Sequence, residues 1–179
     1  MTERIVGKIL GLFLLLGAAT PLLAGEVILG PHPEICKAGS TVPALLVHVE
    51  GFKDRKGQVR LELYSDQADD FLADRDDLLA RHAVFVRIDV PTPAEGPVAI
   101  CLQPPGAGQY SLMVLHDRDY NKKFTLFTDG VGFSNNPRLG LSKPSVKDVI
   151  FSVGGGVKDL TVVLNYMHGL TPRPVSRPK

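Results

Sequence analysis

Apolar and polar residues alternate with a period of two through most of the middle of the chain. In residues 44–50, Leu45, Val47 and Val49 fall on one face, with His48 and Glu50 on the other. Residues 58–64 set Val59, Leu61 and Leu63 against Arg60 and Glu62, and residues 84–90 set Val84, Val86, Ile88 and Val90 against Arg87 and Asp89. Such alternation predicts half-buried strands. The charged turn at residues 51–57 predicts that the first two strands form a hairpin. A short strand follows at residues 98–102. In residues 108–116, Tyr110, Leu112 and Val114 share a face with His116, and Ser111, Met113 and Leu115 take the other. Both faces are largely apolar, so this strand is expected to be central. Residues 149–153 make a further short strand. Residues 159–167 then close the sheet, with Leu160, Val162, Leu164 and Tyr166 alternating.

Two segments break the rhythm. Residues 66–80 carry Ala68, Phe71, Leu72, Leu78 and Leu79, which suits one or two short helical turns, with Asp69 and Asp70 near their start and Phe71 at the sandwich edge. Residues 117–146 form a long loop rich in side-chain oxygen, and Phe124, Phe127 and Phe133 are expected to bury beneath it. A loop of that length in a compact domain is uncommon and is usually functional or packed on itself. The 18 glycines and 14 prolines fall between short apolar runs, which is the punctuation of an all-β domain. The expectation is a single antiparallel β-sandwich of about seven strands, immunoglobulin-like or transthyretin-like, with a closed small barrel as its competitor. The sandwich is placed at residues 43–167, after an extended segment at 25–42 and before a disordered Pro/Arg/Lys tail at 168–179.

The first 24 residues alter the picture. Arg4 and Lys8 precede an apolar run from 9 to 19, and small residues follow through Ala24 and Gly25. That is the layout of a signal peptide cleaved after Ala19 or Ala24, with an uncleaved anchor as the alternative. Export to the periplasm or beyond is expected, with no transmembrane segment in the mature chain. The remaining chain of about 155 residues is long enough for one domain with its own core. Cys36 and Cys101 are the two cysteines, and in an exported chain such a pair is most simply a disulfide. Two buried thiols or a metal pair are the alternatives, the latter lacking CxxC or nearby histidine spacing. The net charge of +1 provides no field for nucleic acid, and no nucleic-acid motif is present. Trp is absent, which argues against an aromatic sugar-stacking platform.

Candidate chemistry gathers at the start of the long loop. Asp117, Asp119 and Asn121 occupy alternate positions, as the first ligands of a calcium loop do, and Lys123 could add a carbonyl. A glycine at the turn is missing, Thr128 stands where a bidentate acid would close an EF-hand, and Asp129 comes one residue late. Completing such a site would need Asp129 or another loop oxygen to fold back. The competing expectation is that these side chains cap turns through local backbone bonds. His116 with Asp117, Asp129 and Ser134 can be drawn as a triad, but no Gly-x-Ser-x-Gly surrounds Ser134. His116 is instead expected to be a strand-end histidine satisfied by the backbone of the loop. The five histidines are scattered, without spacing for zinc or copper.

Several of these residues together resemble a known family. Gly108-x-Tyr110, Val114-x-His116-Asp117-x-Asp119-x-Asn121-x-Lys123, Gly130-Val-Gly-Phe-Ser-Asn-Asn136, Lys143-Pro144 and Leu164-x-Tyr166 resemble DUF2141, exported bacterial proteins of unknown function. The resemblance runs from about Pro43 to Tyr166 and implies export and one sandwich domain, without an established activity. In the commoner form of the loop a glycine stands at the position of Lys122 and an acid at that of Thr125. The expected function is therefore an exported, non-catalytic binding or envelope-associated module. Its ligand would be a protein, a polysaccharide or a small molecule, held at the 116–146 loop with His116, Asp117, Asp119, Asn121, Asp129, Ser134 and Asn135 as candidate residues, and calcium as the one candidate cofactor. The alternative is a metal-dependent or hydrolase-like enzyme centred on His116, Asp117 and Asp119.

Overall fold

The computed structural model describes residues 27–175, so the signal-peptide expectation and the last four residues lie outside it. In chain order the elements are β1 (Ile28–Leu29), a 3-10 turn (Pro33–Cys36), β2 (Ala44–Glu50), β3 (Gln58–Ser65), α1 (Arg75–Ala80), β4 (Phe85–Pro91), β5 (Val98–Leu102) and β6 (Gly108–Asp117). They continue with β7 (Gly130–Phe133), α2 (Val146–Val149), β8 (Ile150–Val153), β9 (Val157–Val163), β10 (Asn165–His168) and β11 (Thr171–Pro174).

The strands form two sheets. One has the order β1-β5-β2-β9; the other runs β11-β10-β7-β6-β3-β4, with β8 paired to β6 as well. Most pairs are antiparallel, whereas β1–β5 and β2–β9 run parallel. The all-β expectation holds. The period-two faces also hold: Leu45, Val47, Val49, Val59, Leu61, Leu63, Leu112 and Val114 meet in one core between the sheets. β6 is central, with β3 along one edge and β7 and β8 end to end along the other.

Four expectations change. β2 and β3 are not a hairpin: β2 pairs with β5 and β9, β3 with β4 and β6, and residues 51–57 cross from sheet to sheet. An apolar face on each strand is satisfied equally by pairing side by side or by facing across a core, and alternation cannot tell the two apart. The closing run at 159–167 is two strands, because the chain changes sheet at Leu164 between β9 and β10. The 168–179 tail is not wholly irregular, since β11 pairs antiparallel with β10 along four residues and gains backbone hydrogen bonds that outweigh its weak apolar content. The long loop expected at 117–146 is interrupted by β7, because Gly130–Phe133 pairs with β6, and the strand count is eleven among the described residues rather than about seven.

Both sheets are also covered on their outer faces. On the smaller sheet, Ala44, Leu46, Ala99 and Cys101 pack under the N-terminal segment, fastened by the Cys36–Cys101 disulfide. On the larger sheet, Tyr64, Met113, Leu115 and Phe133 pack against Phe71 and Leu78 from the segment before β4 and Val146 and Val149 from α2. Within that cover, helix α1 is capped by Asp74 rather than Asp69 or Asp70; Asp70 instead bonds the Ser65 hydroxyl and pairs with Arg81.

Candidate functional site

His116 and Asp117 end β6 and, being adjacent, point to opposite faces of the sheet. His116 faces the core and is fully buried. Its Nε2 lies 2.7 Å from the Lys56 carbonyl, so Nε2 carries the proton, and its Nδ1 accepts from the Tyr166 hydroxyl at 2.7 Å. That hydroxyl accepts from the Lys53 N–H at 3.2 Å. Burial lowers the His116 pKa and raises that of Tyr166 to about 12, which keeps both neutral. Phe52 stands edge-on to the imidazole with ring centroids 5.0 Å apart. The group ties the 51–57 crossing to β6 and β10 and leaves no ring nitrogen for proton transfer. The backbone that satisfies His116 is that of the crossing, not of the long loop.

Asp117 accepts the Gln58 side-chain amide at 2.7 Å and the Lys122 N–H at 3.0 Å, both on Oδ2; Oδ1 is buried without a donor. Asp119 accepts from the Asn121 backbone and side chain, and Asn121 in turn bonds the Thr125 hydroxyl and the Lys123 N–H. Asp129 accepts from the Arg118 N–H at 2.9 Å and the Thr125 N–H at 2.8 Å. One carboxylate oxygen each from Asp117, Asp119 and Asp129 lies within 4.8 Å of the others. The Arg118 guanidinium turns away to grip Asp54 with two nitrogens and to donate to the Thr128 carbonyl. Arg118 holds the Asp54 carboxyl at about 2. Burial raises the Asp129 pKa, with a further contribution from Asp119 and Asp117.

Ser134 and Asn135 are elsewhere. Ser134 accepts from the Leu112 N–H and donates to the Val149 carbonyl, and Asn135 donates to the Ile150 carbonyl. They sit four residues up β6 from His116 and pin β7 to the α2–β8 junction, so the triad drawn from the sequence does not assemble. Asn135 and Asn136 both adopt positive φ, and Asn136 brackets β9 through Thr161 and Val163. Gly130 and Gly132 permit that close approach: a Cβ would lie 2.4 Å from the Tyr166 ring at Gly130 and 2.6 Å from Val162 at Gly132.

A model of a bacterial family, described as "Uncharacterized protein conserved in bacteria (DUF2141)", matches residues 47–161. The chain belongs to the DUF2141 family. The match begins within β2, contains the whole 117–146 loop and stops before Leu164 and Tyr166. No curated protein and no solved structure matches the chain. The DUF2141 loop motifs thus fall on residues that shape the loop: His116 at its root, the acids along its first turn, and Ser134 to Asn136 at its return.

In this DUF2141 protein the loop also borders a groove that the sequence did not announce. Its floor is Met113 and Leu115 of β6 with Val131 and Phe133 of β7, and its walls are Phe124, Leu126, Leu139 and Leu141. The groove encloses about 250 Å³. Only Phe133 among the three expected loop phenylalanines is buried; Phe124 and Phe127 stand out at 49% and 67% exposure, because the loop folds on its polar groups. Beyond Phe124 the groove opens into a wider trough of about 550 Å³ with Arg60, Glu62, Arg87 and Lys122. Arg60 pairs with Asp89 and donates to the Lys122 carbonyl, and Arg87 pairs with Glu62. Apolar groups on both faces of β6 were the only sequence signal for this surface. Among the described residues, no helix is long and apolar enough to cross a membrane.

Proposed function

We propose that this protein is an exported, non-catalytic binding module of the bacterial envelope that takes a small amphipathic molecule. The apolar part of the ligand occupies the groove over β6 and β7, between the loops on either side of β7, and its polar end reaches the trough at Arg87 and Glu62. The observation that carries this reading is the apolar groove on the outer face of the larger sheet, rimmed by the half-exposed Phe124 and Leu126. Small-molecule sites are concave and mostly apolar with a few placed polar groups; the groove has that make-up, and at about 250 Å³ it suits a small ligand. Export is supported by the N-terminal apolar run and the Cys36–Cys101 disulfide. The non-catalytic part is supported by His116, whose ring nitrogens are both committed, and by the distance of Ser134 along β6. For the sandwich itself we propose an immunoglobulin-like or transthyretin-like class, supported by two sheets facing one shared core.

The test is titration of the folded protein with an environment-sensitive fluorescent alkyl probe. Probe emission should rise on binding. The double substitution of Phe124→Asp and Leu126→Asp, both at exposed positions, should weaken binding about ten-fold or more, the equivalent of at least about 1.4 kcal/mol. Equal affinity in the two proteins would sink the groove reading.

A further inference from the structure

We infer that Asp117, Asp119 and Asp129 form a calcium site at the root of the long loop. This stands apart from the groove reading and rests on different atoms. Three carboxylates offer oxygens within 4.8 Å of one another. Calcium holds its ligands at about 2.3–2.6 Å, so oxygens on opposite sides of the ion lie about 4.8 Å apart, and this cluster spans no more than one such sphere. Among the described residues, none of the three acids pairs with the charged side-chain nitrogen of a Lys, Arg or His within 4 Å; the guanidinium of Arg118, the nearest cation in sequence, is committed to Asp54.

The second observation is Asp117 Oδ1. Asp117 is fully buried, its other oxygen has two donors, and Oδ1 has none. A buried carboxylate oxygen with no partner is costly, and native structures fill such positions with an ion or ordered water. The hydrogen bonds that Asp119 and Asp129 accept from loop amides still leave lone pairs on each oxygen for a metal.

The two features that argued against calcium in the sequence read differently in three dimensions. Lys122 stands where a glycine turn is wanted, yet it adopts φ +65°, the left-handed conformation that glycine would supply. Asp129, one residue late for an EF-hand, is brought back beside Asp117 through its bonds to the Arg118 and Thr125 amides. The third ligand is therefore Asp129 rather than Asn121, whose side-chain amide turns its nitrogen, not its oxygen, toward Asp119. Oxygen ligands on an irregular loop suit calcium's flexible coordination better than the strict octahedron of magnesium, and extracellular modules bind calcium at about 0.1–1 mM.

Terbium luminescence tests the site directly. The chain has no tryptophan, and Tyr120 sits beside Asp119 as a donor for sensitised emission. The metal-stripped mature protein should show tyrosine-sensitised terbium emission that calcium displaces at millimolar concentration. Asp119→Asn, at an exposed position, should weaken calcium about ten-fold or more, and the near-isosteric Asp117→Asn should abolish displacement. Calcium should raise the melting temperature of the wild type and leave that of Asp117→Asn unchanged. Absence of calcium-displaceable emission in the folded wild type overturns the inference. So does equal displacement in wild type and both variants, or an Asp117→Asn protein that melts higher than a wild type indifferent to calcium, which would mean a buried water or an unsatisfied oxygen instead.

Discussion

One phenol hydroxyl, that of Tyr166, serves a buried and a part-buried partner at once. It donates to His116 Nδ1 and accepts the Lys53 N–H. Tyr166→Phe keeps the ring that packs against Gly130 and removes only this oxygen, leaving the buried His116 nitrogen without a donor and the part-buried Lys53 N–H to water. A buried group left unpaired costs about 1–3 kcal/mol, so the variant should be destabilised by about that amount, read as a lower urea midpoint with unchanged slope. A shift within experimental error would mean that water replaces the hydroxyl. At this scale the sequence was partly legible. His116 could be read as a structural histidine because no nucleophile or ligand spacing surrounds it. Its partners could not, because Lys56 and Tyr166 stand 60 and 50 residues away in sequence and carry no local pattern that points to it. For the same reason Asp129 could be suspected, but not placed, beside Asp117.

Elements were legible where one face of a strand is buried and ambiguous where pairing had to be chosen. The alternating runs that became β2, β3, β4 and β6 all hold their expected faces. The turn at 51–57 looked like a hairpin because its length and charge suit one, whereas the structure uses it to change sheets. β7, only four residues long, sat inside a loop with glycines and asparagines and gave no alternation long enough to read. The disulfide belongs to this scale as well. Cys36 in the short N-terminal turn is joined to Cys101 of β5, 65 residues away, with Cα atoms 5.8 Å apart. Closing a loop of that length constrains the unfolded chain by about 4 kcal/mol in the chain-entropy model. Replacing both cysteines with alanine should lower stability by about 3–4 kcal/mol in guanidinium unfolding, and the wild type under strong reductant should fall by a similar amount. The groove and loop on the other sheet should be unaffected, so probe binding by the folded double variant should match that of the wild type.

At the scale of the whole molecule, the Asp54–Arg118 pair links the sheet crossing to the loop and gives stability a dependence on acid. Arg118 holds Asp54 at about 2, below the ordinary 3.8. A carboxyl depressed on folding stabilises the native state fully above its unfolded value, and that contribution is lost as pH falls through the folded one. Comparing wild type with Asp54→Asn should show a difference of about 1 kcal/mol near neutral pH, a modest figure because the pair is partly exposed. The difference should shrink between about pH 4 and pH 2 and vanish below that range; a constant difference across it would show that the pair does not titrate with folding. The parallel pairing of β2 with β9 has a consequence for how the molecule comes into being. Residues 44–50 can find their second neighbour only in residues 157–163. Contacts of such long sequence separation form slowly, since a large loop must close before they contribute. Until β9 arrives, β2 presents a bare apolar edge of the kind that recruits other chains. A chain emerging from its N-terminus therefore passes most of its synthesis with that edge open, and its yield depends on how well the edge is guarded during that interval.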